Sequence, residues 1–245
     1  MRINNKTGVV VVVLLAFASA FVISCSKKLD NRVYPTSRIS GRYLYNGQPV
    51  QIMSTASDAG GSNMLQLIQT GPGKFLTGII KMFAKGDGTY TIQTYDGNYS
   101  LVNTPGKGPW VQPDTLKFTL SGEAKDVNFN VTPYYWMSDY KSSFSDSVFT
   151  ASFKLEKVVP TANFEKVVIY FGTTNITDIT SKQAERGFTT GIAPGNVTVS
   201  FNLKTLTAAE KLALSNTGTA YARVGIKTQG VGDLLYSDVL PLTSK

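Results

Sequence analysis

The stretch "ISGRYLYNGQPVQIMS", residues 39–54, decides how the chain is to be read. Two β-prone runs flank Asn46-Gly47 at its centre. Asn-Gly suits a two-residue hairpin because both central residues of a type I′ turn need positive φ. The same grammar continues downstream. "SDAGGSN" (57–63) is a loop, and "MLQLIQT" leads through Gly71-Pro72-Gly73 into "KFLTGIIKMFA". Lys85-Gly86-Asp87-Gly88 turns into "TYTIQTY", and Asp96-Gly97 turns into "YSLV". "TLKFTLS" and "KDVNFNVT" follow. Seven or eight short strands in about 95 residues predict a β-sandwich.

A second set begins after Pro133. In "SVFTASFKLEK", Phe149, Ala151, Phe153 and Leu155 alternate with Thr150, Ser152, Lys154 and Glu156. In "NVTVSFNL", Val197, Val199, Phe201 and Leu203 point one way. "KVVIYFG" is a nearly continuous apolar strand, and "TAYARVGIKT" and "LLYSDVL" form a closing hairpin. The one good helix is 207–216, where Thr207 and Glu210 make a capping box and Gly218 lies just past the end. Tyr221 resembles the tyrosine corner of immunoglobulin-like sandwiches; a plain buried tyrosine is the other reading.

The 245 residues carry no histidine and one cysteine. That removes imidazole bases, Ser-His-Asp triads, zinc sites of the usual kind and internal disulfides. The formal charge is +8, but the basic residues are scattered singly apart from Lys27-Lys28, unlike those of a nucleic-acid binder. A glycosidase needs two facing carboxylates. Asp87, Asp96 and Asp114 sit in or beside turns, where aspartate is ordinary turn chemistry. The chain is read as non-catalytic, with no cofactor and no metal site.

The N-terminus gives the address. Arg2 and Lys6 precede an apolar run over 8–23, followed by "VISC". The run is short for a membrane span and suits a signal h-region. "VISC" resembles the lipobox of bacterial lipoproteins, which implies cleavage before Cys25 and acylation of Cys25. Removing that leader leaves 22 basic residues against 16 acidic, a charge of +6. In Bacteroides-type lipoproteins a short acidic stretch after the cysteine directs export to the outer face. Here only Asp30 is acidic, and Lys27 and Lys28 depart from the pattern. The expected location is the outer membrane, lipid-anchored and facing the exterior. The expected division is a signal peptide 1–24, a tether 25–36, and sandwiches over 37–131 and 132–245.

"GRYLYNGQPV", "GDGTYTIQTYDGNYSLVNTPGKGPW" and "VNFNVTPYYW", in that order, resemble the two-domain Bacteroides-type lipoproteins of domain-of-unknown-function family 3823. The resemblance covers most of the mature chain. It implies an all-β protein of two β-sandwich domains. The first would be transthyretin- or carboxypeptidase-regulatory-like, the second immunoglobulin- or fibronectin-III-like. Such proteins are commonly encoded beside SusC-type transporters and SusD-type binding lipoproteins. That implies a role in glycan capture and uptake, with polysaccharide or oligosaccharide and SusC/SusD-type proteins as partners. The family brings no catalytic residues.

The site reading turns on aromatics. "NTPGKGPW" (103–110) places Trp110 on a turn-rich loop. Trp110 is either a platform for a sugar ring, with Tyr95 and Tyr99 from neighbouring strand ends, or a plug capping the first sandwich. The plug is favoured, because a shared fold needs shared plugs. In "PYYWMSDY" (133–140), Tyr134, Tyr135 and Trp136 cannot all face one core. Tyr135 and Trp136 are read as an exposed binding pair or, preferably, as part of the seam between domains. A glycan-binding accessory and a ligand-free docking subunit are the two functions that follow.

Overall fold

The strand β1 (Ser37–Tyr45) runs down the middle of the first sheet, antiparallel to β4 (Thr89–Thr94). In this computed structural model the described residues are 33–53, 56–57, 60–61, 64–72 and 78–242. The leader, Cys25 and residues 25–32 of the tether lie outside them. Asn46 and Gly47 take φ of 49° and 76°, the two positive values the hairpin reading requires, and fold Gln48–Pro49 back onto β1. Short parallel pairings at Glu123–Ala124 and Phe129–Asn130 complete that sheet.

The facing sheet contains β2 (Leu65–Thr70), β3 (Ile79–Met82), β5 (Gly97–Asn103) and β6 (Leu116–Leu120), in the order β6-β5-β2-β3. Alternation decides which side chains go inward. Tyr90 and Ile92 of β4, Leu65 and Leu67 of β2, and Tyr99 and Leu101 of β5 all enter the core.

The second sandwich also has two sheets. One is β7 (Tyr135–Ser145), β8 (Val148–Lys157) and β11 (Gly195–Asn202). The other is β10 (Ala184–Phe188), β9 (Phe164–Gly172) and β12 (Ala220–Thr228), closed by β13 (Leu234–Tyr236) and β14 (Leu240–Leu242). Counting β13 and β14 as one broken strand, the first, second and fifth strands face the fourth, third, sixth and seventh. This is the fibronectin-III arrangement, so the protein is all-β and built from two sandwiches. The buried set on β8 is Phe149, Ala151, Phe153 and Leu155, as its alternation requires.

Two expectations change. "LLYSDVL" is not one strand. It breaks at Ser237–Val239, where the Ser237 carbonyl accepts from the Arg223 side chain and the Asp238 carboxylate accepts from Gln51. Tyr221 is half-buried and its hydroxyl makes no hydrogen bond among the described residues, so the tyrosine corner is absent. The helix α1 (Ala208–Ser215) carries the full Thr207/Glu210 capping box.

The continuous apolar run on β9 has a specific cause. Val167, Ile169 and Phe171 enter the main core. Val168 and Tyr170 face the other way and pack with Leu234, Tyr236 and Met53, the last from the first sandwich. The strand is covered on both faces, so period two disappears from its sequence.

Candidate functional site

Trp110 is 3% exposed and stacks on Tyr43, centroids 4.5 Å apart at 27°. Its loop winds around a fully buried polar residue, Asn103. Asn103 Oδ1 accepts from the Tyr43 hydroxyl, and Nδ2 donates to the carbonyls of Thr104 and Lys107. Gln112 Nε2 donates to the Asn103 carbonyl. Burial, then the neighbouring Tyr90 and Asp233, hold the Tyr43 hydroxyl well above its ordinary pKa. The loop also reaches the second sandwich: Gly108 N donates to the buried Asp233 carboxylate, and Tyr134 N donates to Pro109 O. Sequence reasoning passed over Asn103 and Asp233, whose residue types are unremarkable in turns.

The other aromatic candidates are also enclosed. Tyr99 is 1% exposed; its hydroxyl bonds Tyr95 O and Thr94 Oγ1, and its ring stacks on Phe118. Tyr95 is half-buried. Tyr135 is 3% exposed, with its hydroxyl on Ala162 O and its ring edge-on to Phe164. No open ring face remains at Trp110, Tyr99 or Tyr135, because none of the three is more than 3% exposed. As sugar platforms these three are therefore closed. Trp136 packs on Tyr45 of the first sandwich, centroids 5.1 Å apart, and so belongs to the seam.

Trp136 also walls a groove of about 410 Å³ where the sandwiches meet. Gln48, Pro49 and Gln51 come from the segment after the Asn-Gly hairpin. Ser138, Asp139 and Tyr140 come from β7, and Ser237 and Asp238 from the break between β13 and β14. A β-bulge builds the β7 wall: Ser138 pairs with Lys154 but Lys141 with Ser152, so Asp139 and Tyr140 together oppose one residue. Asp139 takes φ of 53°, a left-handed conformation that aspartate tolerates better than most residues.

The seam bonds run through the groove wall. Gln51 Nε2 donates to Asp238 at 2.8 Å, and Tyr236 N donates to Gln51 O at 3.2 Å. Behind them lies Arg223, 1% exposed, with its guanidinium 4.5 Å over the Tyr236 ring and NH2 donating to Gly86 O. Burial lowers the Arg223 pKa to about 10, against the pull of Tyr236, Asp178 and Asp238. Burial raises the Tyr140 hydroxyl, which lies near Ser142 and Ser237 without a well-formed hydrogen bond to either. Gln51 and Arg223 also line an adjoining cavity of about 340 Å³ with Lys85, Asp87 and Asn175.

Two of the three carboxylates singled out in the first sandwich serve turns, and Asp114 is exposed. Asp87 accepts from Thr89 N and Oγ1; Asp96 accepts from Ser37 Oγ and Gly122 N. The Ser37 bond, then that from Gly122, holds the Asp96 carboxyl below its usual range. Among the described residues no group of three His, Cys, Asp or Glu side chains could hold a metal ion.

Family models account for both halves: the N-terminal domain of the DUF3823 proteins of unknown function matches residues 37–132, and the DUF3823 C-terminal domain of unknown function matches 135–241. The chain belongs to the DUF3823 family. A DUF3823 structure from Parabacteroides merdae is 30% identical, covers 86% of this chain and 100% of its own, and superposes with a TM-score of 0.73. One from Bacteroides ovatus is 29% identical over 84% of this chain and 97% of its own, with a TM-score of 0.69. A Bacteroides uniformis protein shares the fold at 18% identity, covering 85% of this chain and 99% of its own, with a TM-score of 0.66. No curated protein matches the chain.

Proposed function

We propose that this DUF3823 protein is a non-catalytic glycan-binding accessory, held on the outer membrane by lipid at Cys25 and facing outward beside a SusC/SusD-type importer. The junction groove carries the reading. It joins a tryptophan and a proline to two amides, two carboxylates and two tyrosines in about 410 Å³. Small-ligand sites span roughly 300–1,000 Å³ and combine an apolar lining with a few fixed polar groups. Sugars present that same mixture of apolar faces and hydroxyls. The Bacteroides uniformis protein, described as a candidate carbohydrate-binding protein, gives the same direction at the level of the fold.

One observation favours the alternative, a docking subunit with no ligand. The edge strand β3 leaves Ile79 and Ile80 exposed, and Phe83 just beyond it is 57% exposed. Titrating the soluble mature chain with a polysaccharide panel separates the two. The binding reading expects saturable glycan binding that Asp139→Gly weakens without a fall in melting temperature, since glycine accepts the left-handed backbone at 139. Absence of binding to every glycan, with co-purification of transporter proteins, would establish the docking role instead.

A further inference from the structure

Resting on that reading, we infer that the junction groove selects uncharged or amine-bearing glycans and rejects acidic ones. The groove wall contains Asp139 and Asp238 and no lysine or arginine. Its hydrogen-bonding groups are weighted toward acceptors. Both carboxylates only accept, and one amide hydrogen of Gln51 is committed to Asp238. The Ser237 hydroxyl donates to Asp238 O, and that of Ser138 to Glu156. The amide of Gln48 and the second amide hydrogen of Gln51 remain as donors, but a ligand that meets the two carboxylates must bring donors of its own. Sugar hydroxyls and ammonium groups do; a uronate carboxylate or a sulfate ester brings acceptors and a negative charge.

The nearby cations do not reverse this. Arg223 lies behind the wall, stacked on Tyr236 and donating to the carbonyls of Ser237 and Gly86. Lys85 belongs to the adjoining cavity, beside Asp87. The mature chain's charge of +6 would by itself draw polyanions toward the surface. Local charge decides what the groove holds, because exposed charges beyond about 10 Å are largely screened at ordinary ionic strength. One like charge about 4 Å away costs about fivefold in affinity at the dielectric of water, and more between protein walls.

The test uses the soluble mature chain and matched polymers: a β-glucan, an α-mannan and a xylan, each beside its carboxymethylated and sulfated derivative. The expected result is binding to at least one neutral polymer, at least about tenfold tighter than to its charged derivatives. The double variant Asp139→Asn/Asp238→Asn should narrow that gap to about threefold or less. Asparagine keeps an acceptor for Gln51 and tolerates the left-handed backbone at 139. Derivatives that bind as tightly as the parent polymer would overturn the inference and leave glycan binding standing. So would a gap that survives in the double variant. Failure of every polymer to bind would overturn both the inference and the proposed function.

Discussion

Gly108→Ala tests whether the loop 103–110 is built to hold Trp110 down. Gly108 has φ of +91°, and a Cβ added there would lie 2.2 Å from Trp110 Cε2, 2.4 Å from Cζ2 and 2.6 Å from Nε1. The indole cannot step aside freely, because Tyr43 stacks on it and Pro133 pairs with its backbone. Overpacking of this kind costs about 1–3 kcal/mol. A side chain forced into positive φ adds about 1–2 kcal/mol. The sum is about 2–5 kcal/mol. The same loop supplies a control. Gly106 has φ of +74° with nothing within 4 Å of its would-be Cβ, so Gly106→Ala should show the backbone cost alone. The gap between the variants, about 1–3 kcal/mol, measures the overlap with Trp110. For a chain of this size that corresponds to roughly 2–12 °C in melting temperature. Thermal and urea unfolding of both variants reads it directly. Equal melting would mean that Trp110 is not pinned, and the plug argument would fail.

Three further outcomes follow. Trp110→Ala should cost about 3–5 kcal/mol in urea unfolding, with glycan affinity reduced only as far as unfolding explains. Glu210→Gln keeps a capping-box side chain but removes the bidentate ion pair with Arg186 at 2.9 Å, so it should cost about 1 kcal/mol at pH 7. The Arg186 bonds, then the Thr207 N–H, hold the Glu210 pKa at about 2 instead of 4.5. A depressed carboxyl stabilises the fold above pH 4.5 and loses that contribution as pH falls toward 2, so the difference from wild type should close across that window. Cys25→Ala should abolish palmitate labelling and signal cleavage; normal labelling of the variant would remove the lipid anchor.

Local signals in the sequence carried much of the architecture. The Asn46-Gly47 turn, the alternation along β8 and the Thr207/Glu210 box each depend on residues within a few positions of one another. Their physics is complete in a short window. The site is different. Gln51 and Asp238 are 187 residues apart, and Arg223 meets Gly86 across 137. No periodicity announces such pairs. The bulge at Asp139 is equally silent, since an Asp-Tyr pair within a strand looks like ordinary alternation. The aromatics misled for another reason. A tryptophan is as suited to a core as to a sugar, and only its neighbours decide. Tyr43, a residue not singled out from the sequence, takes the face of Trp110 that a sugar would need.

The seam and the groove are one structure. Gln48, Pro49 and Gln51 supply one wall, and residues 136–140 and 235–238 supply the rest, so neither sandwich forms the groove alone. Two of the bonds fixing one sandwich against the other, Gln51 to Asp238 and Tyr236 N to Gln51 O, lie within that wall. A sugar that touches Gln51 or Asp238 must therefore either bridge their bond or compete with it. Binding and junction stiffness are coupled through the same atoms. Substitution of Gln51 would confound the two, because it loosens the seam while it removes a contact. Asp139 does not share this problem: it is exposed, faces the groove from the bulge, and takes no part in the bonds between the sandwiches. A loss of affinity at Asp139 without a loss of stability is thus the result that separates a binding groove from a structural seam.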